Sequence, residues 1–118
     1  MIAGIGIDII ELARMQANIT NDRFINRVLT EKEKAFYNTL RAEGRRVEFL
    51  AGRFAAKEAF AKAAGTGIGQ LGFGDMEVLP NEKGAPEMKV AGFEGYRIFV
   101  SLSHSEAYAV AQVVLEKD

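Results

Sequence analysis

Isoleucines recur at every second position near the start of the chain, where Ile5, Ile7 and Ile9 alternate with Gly4, Gly6 and Asp8. A period of two predicts a strand over residues 2–9. The isoleucines occupy one side, and two glycines and a carboxylate occupy the other. That second side makes a poor core, yet it permits close approach of another backbone or a ligand. From about Glu11 to Gly65 the pattern turns helical. Thr30-Glu31-Lys32-Glu33 has the spacing of a capping box and opens a helix through Ala35, Phe36 and Leu40. A longer, alanine-rich helix is predicted from Arg46 to Ala64, with Phe49, Leu50, Phe54 and Phe60 among its apolar positions and Gly65 as its stop. Glycines then crowd positions 65, 67, 69, 72 and 74. Short strands are predicted at Met76–Leu79 and Glu87–Val90, separated by a turn at Asn81–Gly84. The C-terminal segment has the pattern of a hairpin, with arms at Arg97–Ser103 and Ala107–Leu115 and His104-Ser105-Glu106 near the turn. Strand, helices, then strands predict an α+β fold: an antiparallel sheet packed on a long central helix, in one domain over residues 1–118.

Composition narrows the function. The chain has 118 residues, enough for one core but not a generous one, so association with further copies is expected. There is no cysteine, which excludes disulfides, zinc–thiolate sites and a cysteine nucleophile, and suits a reducing cytoplasm. No signal peptide and no membrane-span-length apolar run is visible. A formal net charge of −1 argues against nucleic acid as a partner. Any phosphate ligand must then be held by a local cluster of cations.

Several side chains could form such a cluster. Asp8 near a strand end fits either a helix N-cap or a ligand for a hard metal ion. Glu58 and Lys62 are four apart on the long helix and share a face. They could be a solvated pair worth about 0.3–0.5 kcal/mol. With Arg53 and Lys57, also four apart, they could instead place a carboxylate among three cations, as a metal–pyrophosphate site requires. The glycines of Gly65-Thr66-Gly67-Ile68-Gly69 follow their helix rather than precede it, so they form neither a P-loop nor a dinucleotide fingerprint. His104 is the only histidine, and it is either an idle turn residue or a phosphate donor or proton-transfer group. Ser103-His104 lacks the Gly-x-Ser-x-Gly elbow of a hydrolase. Arg14, Arg23, Phe24 and Arg27 are either surface charge or a docking patch for an acidic partner, with Phe24 as its anchor.

Taken in order, these residues resemble one family. Gly4-Ile5-Gly6-Ile7-Asp8-Ile9-Ile10-Glu11-Leu12 is similar to the N-terminal signature of the holo-(acyl-carrier-protein) synthases. Phe49-Leu50-Ala51-Gly52-Arg53-Phe54-Ala55-Ala56-Lys57-Glu58-Ala59-Phe60-Ala61-Lys62-Ala63 is similar to their central signature. The similarity runs from the first residue nearly to the last. At Asn81–Pro86 the chain departs from it, with Ala85 in the middle of what is often Gly-Lys-Pro. If that side chain contacts coenzyme A in relatives, the contact is absent here or is supplied by Lys83.

The resemblance implies a 4'-phosphopantetheinyl transferase fold and a defined reaction. A serine of an apo acyl carrier protein attacks coenzyme A at the phosphorus bearing pantetheine, and adenosine 3',5'-bisphosphate leaves. It implies that Asp8 and Glu58 bind Mg2+, that Lys62 touches the pyrophosphate, and that Arg53 and His104 hold the nucleotide end. The early helices would meet the acidic recognition helix of the carrier. A homotrimer with sites between subunits is also implied. The serine proton goes to Glu58 or to a metal-bound water, and the sequence leaves both open. The competing expectation is a non-catalytic carrier- or nucleotide-binding module on the same fold.

Overall fold

The alternating N-terminal segment is strand β1 (Ile2–Glu11), and its partner comes from the opposite end of the chain. In the computed structural model, residues 1–65 and 71–118 are described. Four helices follow β1: α1 (Leu12–Gln16), α2 (Asp22–Val28), α3 (Glu31–Tyr37) and α4 (Glu43–Ala64). A short 3-10 turn at Phe73–Asp75 leads into β2 (Met76–Pro80) and β3 (Pro86–Val90), and the chain ends in β4 (Arg97–His104) and β5 (Tyr108–Glu116). The expected single sheet is two antiparallel sheets among the described residues. One has the order β1-β5-β4, and the other is the β2-β3 hairpin.

Local chemistry accounts for most boundaries. The Thr30 hydroxyl accepts from the Glu33 N–H, and the Glu33 carboxylate accepts from the Thr30 N–H, which closes the predicted capping box. Asn21 caps α2 by accepting from the Phe24 N–H. Helix α4 starts three residues earlier than predicted and stops at Gly65, whose φ of 75° is the left-handed conformation that favours glycine. In the β2–β3 turn the Asn81 side chain accepts from the N–H groups of Lys83 and Ala85. The predicted glycines at 67 and 69 lie outside the described residues.

The core lies between α4 and both sheets. Leu50, Ala55, Ala59 and Phe60 of α4 are fully buried, as are Ala111 and Val113 of β5 and Met76 and Val78 of β2. The orientation of β1 is decided by its glycines. Gly4 and Gly6 face α4 so closely that an added Cβ would fall 2.0 Å from the carbonyl oxygens of Ala63 and Ala59 respectively. Small residues on both surfaces, with Ala111 opposite Asp8 and Ala109 opposite Ile10 further along the same sheet face, let the helix backbone settle onto the sheet. The isoleucines point the other way. Ile5, Ile7 and Ile9 are each about 60% exposed.

Candidate active site

Asp8 is the next residue in the Gly4–Gly6 register, so its side chain also turns towards α4. It does not cap a helix. The N-cap of α1 is Glu11, without a side-chain cap bond, while Asp8 sits inside β1 opposite Ala111. Across the seam, Lys62 of α4 donates to Asp8 Oδ1 at 3.1 Å and to the Ile7 carbonyl at 2.9 Å. Glu58 lies one helical turn before Lys62 on the same face. Its carboxyl pKa is raised, first by burial and then by the Asp8 charge; Lys62 and Arg14 oppose the rise. Two carboxylates and an ammonium thus share one partly exposed place, with an arginine from α1 in electrostatic range.

This arrangement fits a hard divalent ion that is also held by a substrate. Magnesium is commonly bound by one or two carboxylates, completing its shell with waters and phosphate oxygens. Among the described residues no third acid or histidine joins Asp8 and Glu58 to make a full protein cage. The Lys62 ammonium already seated on Asp8 demonstrates that the place accommodates positive charge.

The remaining predicted residues fall elsewhere. Arg53 and Glu58 are five residues apart, a rotation of about 140° around the helix. Arg53 is accordingly turned to the other side of α4, where its Nε donates to the Val78 carbonyl at 3.1 Å and its guanidinium lies 3.9 Å from the Phe49 ring centroid. Burial lowers its pKa to about 10, partly opposed by Glu33, so it remains a cation at neutral pH. Arg53 lines a cleft of about 450 Å³ together with His104, Arg45, Glu48, Phe36 and Phe49. His104 closes β4, with Nδ1 3.4 Å from Glu48 Oε2. The predicted five therefore form two groups: Asp8, Glu58 and Lys62 at the glycine seam, and Arg53 with His104 in the cleft.

The expected carboxylate among three cations is not what forms. Besides Arg53, Lys57 is also absent from the seam. It is fully buried and donates to Glu33 Oε1 and to the Val28 carbonyl, both at 2.6 Å. Glu33 Oε2 in turn accepts from the Val78 N–H at 2.7 Å. This pair ties α2, α3, α4 and β2 together and is unavailable to a ligand. Burial pulls the Lys57 pKa down, and Glu33 counters it. One signal could have found this: Arg53, Lys57 and Phe60 follow the i, i+4, i+7 spacing of a core-facing stripe. Arg45 and Glu48 were missed in the cleft, although they lie on the same helix surface as Phe49 and Arg53. Arg14 was expected only at a docking patch, and nothing in the sequence relates it to Glu58.

The early helices border an aromatic ladder that runs from α2 across α4 to the 3-10 turn. Phe24 stacks on Phe54 at 6.1 Å, and Phe54 on Phe73 at 5.4 Å. Arg14 lies over the Phe54 ring and Arg27 over the Phe73 ring, each at 5.7 Å. Arg23 is exposed one turn before Arg27. Arg14, Arg23, Phe24 and Arg27 thus border one half-buried, cation-flanked surface.

Comparison with known proteins agrees with this architecture. The sequence profile of the 4'-phosphopantetheinyl transferase superfamily matches residues 4–113. The holo-(acyl-carrier-protein) synthase of Oceanobacillus iheyensis is 60% identical over 117 residues, covering 98% of each chain. That of a Geobacillus species is 52% identical over 119 residues, covering 99% of this chain and 98% of the relative. A crystal structure of a holo-(acyl-carrier-protein) synthase from Bacillus anthracis, in complex with CoA (3',5'-ADP), superposes with a TM-score of 0.91 at 48% identity, covering 100% of this chain and 99% of that one. The chain belongs to the 4'-phosphopantetheinyl transferase superfamily, among its holo-(acyl-carrier-protein) synthases.

Proposed function

We infer that this chain transfers the 4'-phosphopantetheine group of coenzyme A to a serine of an apo acyl carrier protein. The bond formed joins the serine oxygen to the phosphorus bearing pantetheine. The bond broken is the pyrophosphate linkage, and adenosine 3',5'-bisphosphate leaves. The observation that carries this reading is the meeting of Asp8, Glu58 and Lys62 at the glycine seam. Transfer at phosphorus depends on positioning and charge neutralisation more than on covalent chemistry by the protein, and this group supplies both.

Asp8 and Glu58 would hold Mg2+. When bound, that ion neutralises and orients the diphosphate. Lys62 steadies the charge that develops on the departing phosphate. Arg53 and His104, grouped in their own cleft, are assigned the nucleotide end of coenzyme A. Arg14, Arg23, Phe24 and Arg27 are assigned to the acidic carrier, with cations for its charge and the aromatic ladder for an apolar contact.

The functional unit is taken to be a homotrimer of one-domain subunits. Two features support it. The outer face of the β1-β5-β4 sheet is uncovered and carries an apolar row, Ile5, Val114 and Phe99 side by side across three strands, next to Ile7 and Ile9. The two groups of site residues also sit on different faces of α4, which suits a ligand bridging two copies.

Incubation with Mg2+, coenzyme A and apo acyl carrier protein, followed by mass measurement of the carrier, tests the reading. The carrier is expected to gain one phosphopantetheine group. Asp8→Ala and Glu58→Ala are each expected to slow the gain by about 100-fold or more. No gain by the unaltered protein on any of several carriers would leave a binding module instead.

A further inference from the structure

We propose that Lys62 is an exchangeable counter-ion: it occupies Asp8 while the site is free of ligand and gives up that place when the metal arrives together with a diphosphate. The inference rests on the proposed metal-binding role of Asp8 and Glu58 and adds an order to it. Metal and coenzyme A bind cooperatively, and Lys62 couples them.

The geometry carries the argument. The Lys62 ammonium is 3.1 Å from Asp8 Oδ1, and a magnesium ion would bind an oxygen of the same carboxylate at about 2.0–2.1 Å. Two cations drawn to one carboxylate at such distances repel each other. A metal ion arriving alone therefore works against Lys62, and displacing it leaves the ammonium without an anion. A metal ion carrying a diphosphate brings the replacement anion with it. The side chain is built for such an exchange. Lysine has three donors on a flexible four-carbon stem. Its side chain is 56% exposed, so it can swing, whereas Asp8 is 17% exposed and fixed in the sheet. The Ile7 carbonyl, 2.9 Å away, is a second acceptor that can keep the ammonium near the seam after Asp8 is released. By linkage, whatever Lys62 costs the metal in the absence of coenzyme A reappears as mutual reinforcement of the two ligands.

Manganese(II) binding to the full chain, followed by the electron paramagnetic resonance of the free ion, tests this at pH 8. Four proteins are compared, each with and without coenzyme A: the unaltered chain, Lys62→Met, Lys62→Gln and Lys62→Arg. Without coenzyme A, Lys62→Met and Lys62→Gln are expected to bind manganese about 5- to 10-fold more tightly than the unaltered chain, and Lys62→Arg to resemble it. Coenzyme A is expected to tighten manganese binding to the unaltered chain at least tenfold, and to tighten it less in the two neutral variants. Circular dichroism identifies a variant that has not folded, and the remaining neutral variant then decides. Equal or weaker manganese binding by folded neutral variants without coenzyme A overturns the exchange while leaving the metal site intact. Failure of the unaltered chain to bind manganese even with coenzyme A overturns the metal site itself.

Discussion

At Glu58, burial and the nearby Asp8 charge raise the carboxyl pKa above its ordinary value despite Lys62 and Arg14. A carboxylate whose folded pKa is raised is harder to ionise in the folded chain than in the unfolded one, so ionisation opposes folding. The penalty is absent below the unfolded pKa and fully present above the folded one. Glu58→Gln is therefore expected to raise the thermal midpoint of the ligand-free protein at pH 7 by a few degrees at most, with the gain vanishing near pH 4. The same variant should lose carrier modification. Thermal melts at both pH values check the sign, and a Glu58→Gln protein that melts lower at pH 7 would refute it. Such an exchange of stability for activity is common where function needs an uncomfortable group. The sequence showed which residues to examine but not the company each keeps. The spacing of Glu58 to Lys62 equals that of Arg53 to Lys57, yet Lys62 is exposed and Lys57 is buried on Glu33. Spacing fixes which residues share a helix face; it does not state whether that face meets water or core.

Among the elements, the contact of β1 with α4 decides whether the site exists. Asp8 reaches Lys62 only because Gly4 and Gly6 bring the two backbones together. Gly6→Ala puts a methyl group against the Ala59 carbonyl, where neither backbone can yield cheaply. Its expected cost is about 1–3 kcal/mol or more by denaturant titration. Transfer should fall as well, since a small displacement of catalytic groups is expensive. A Gly6→Ala protein of unchanged stability would show that the seam is looser than described. Alternation along β1 made the glycine face legible, and the capping box, the Gly65 stop and both hairpins were legible from local chemistry. The division of five strands into two sheets was not, because pairing β1 with β5 depends on residues more than 90 positions apart, such as Ile5 and Val114.

For the whole molecule, the uncovered sheet face matters most. Exposed isoleucines scattered singly would be ordinary, but Ile5, Ile7 and Ile9 lie in line, and Phe99 is 53% exposed in the same row as Ile5. A second copy is the proposed cover. Ile5→Glu should leave the single subunit folded, because the side chain is 62% exposed there. It should shift the sedimenting species from trimer to monomer and lower transfer by about tenfold or more, as expected when a charge must be buried in an apolar interface. A trimeric, fully active Ile5→Glu protein would move the interface elsewhere.

Periodicity, capping chemistry and two long signatures were enough to set the elements and the family and to single out Asp8, Glu58 and Lys62 as candidates, since each of those signals is read from neighbours within a few turns of chain. Tertiary structure alone decided that the isoleucines face outward, that Lys57 belongs to the core, and that Arg53 and His104 share a cleft apart from the acids. Those outcomes depend on which surfaces meet, and a surface acquires its partner only when distant segments pack.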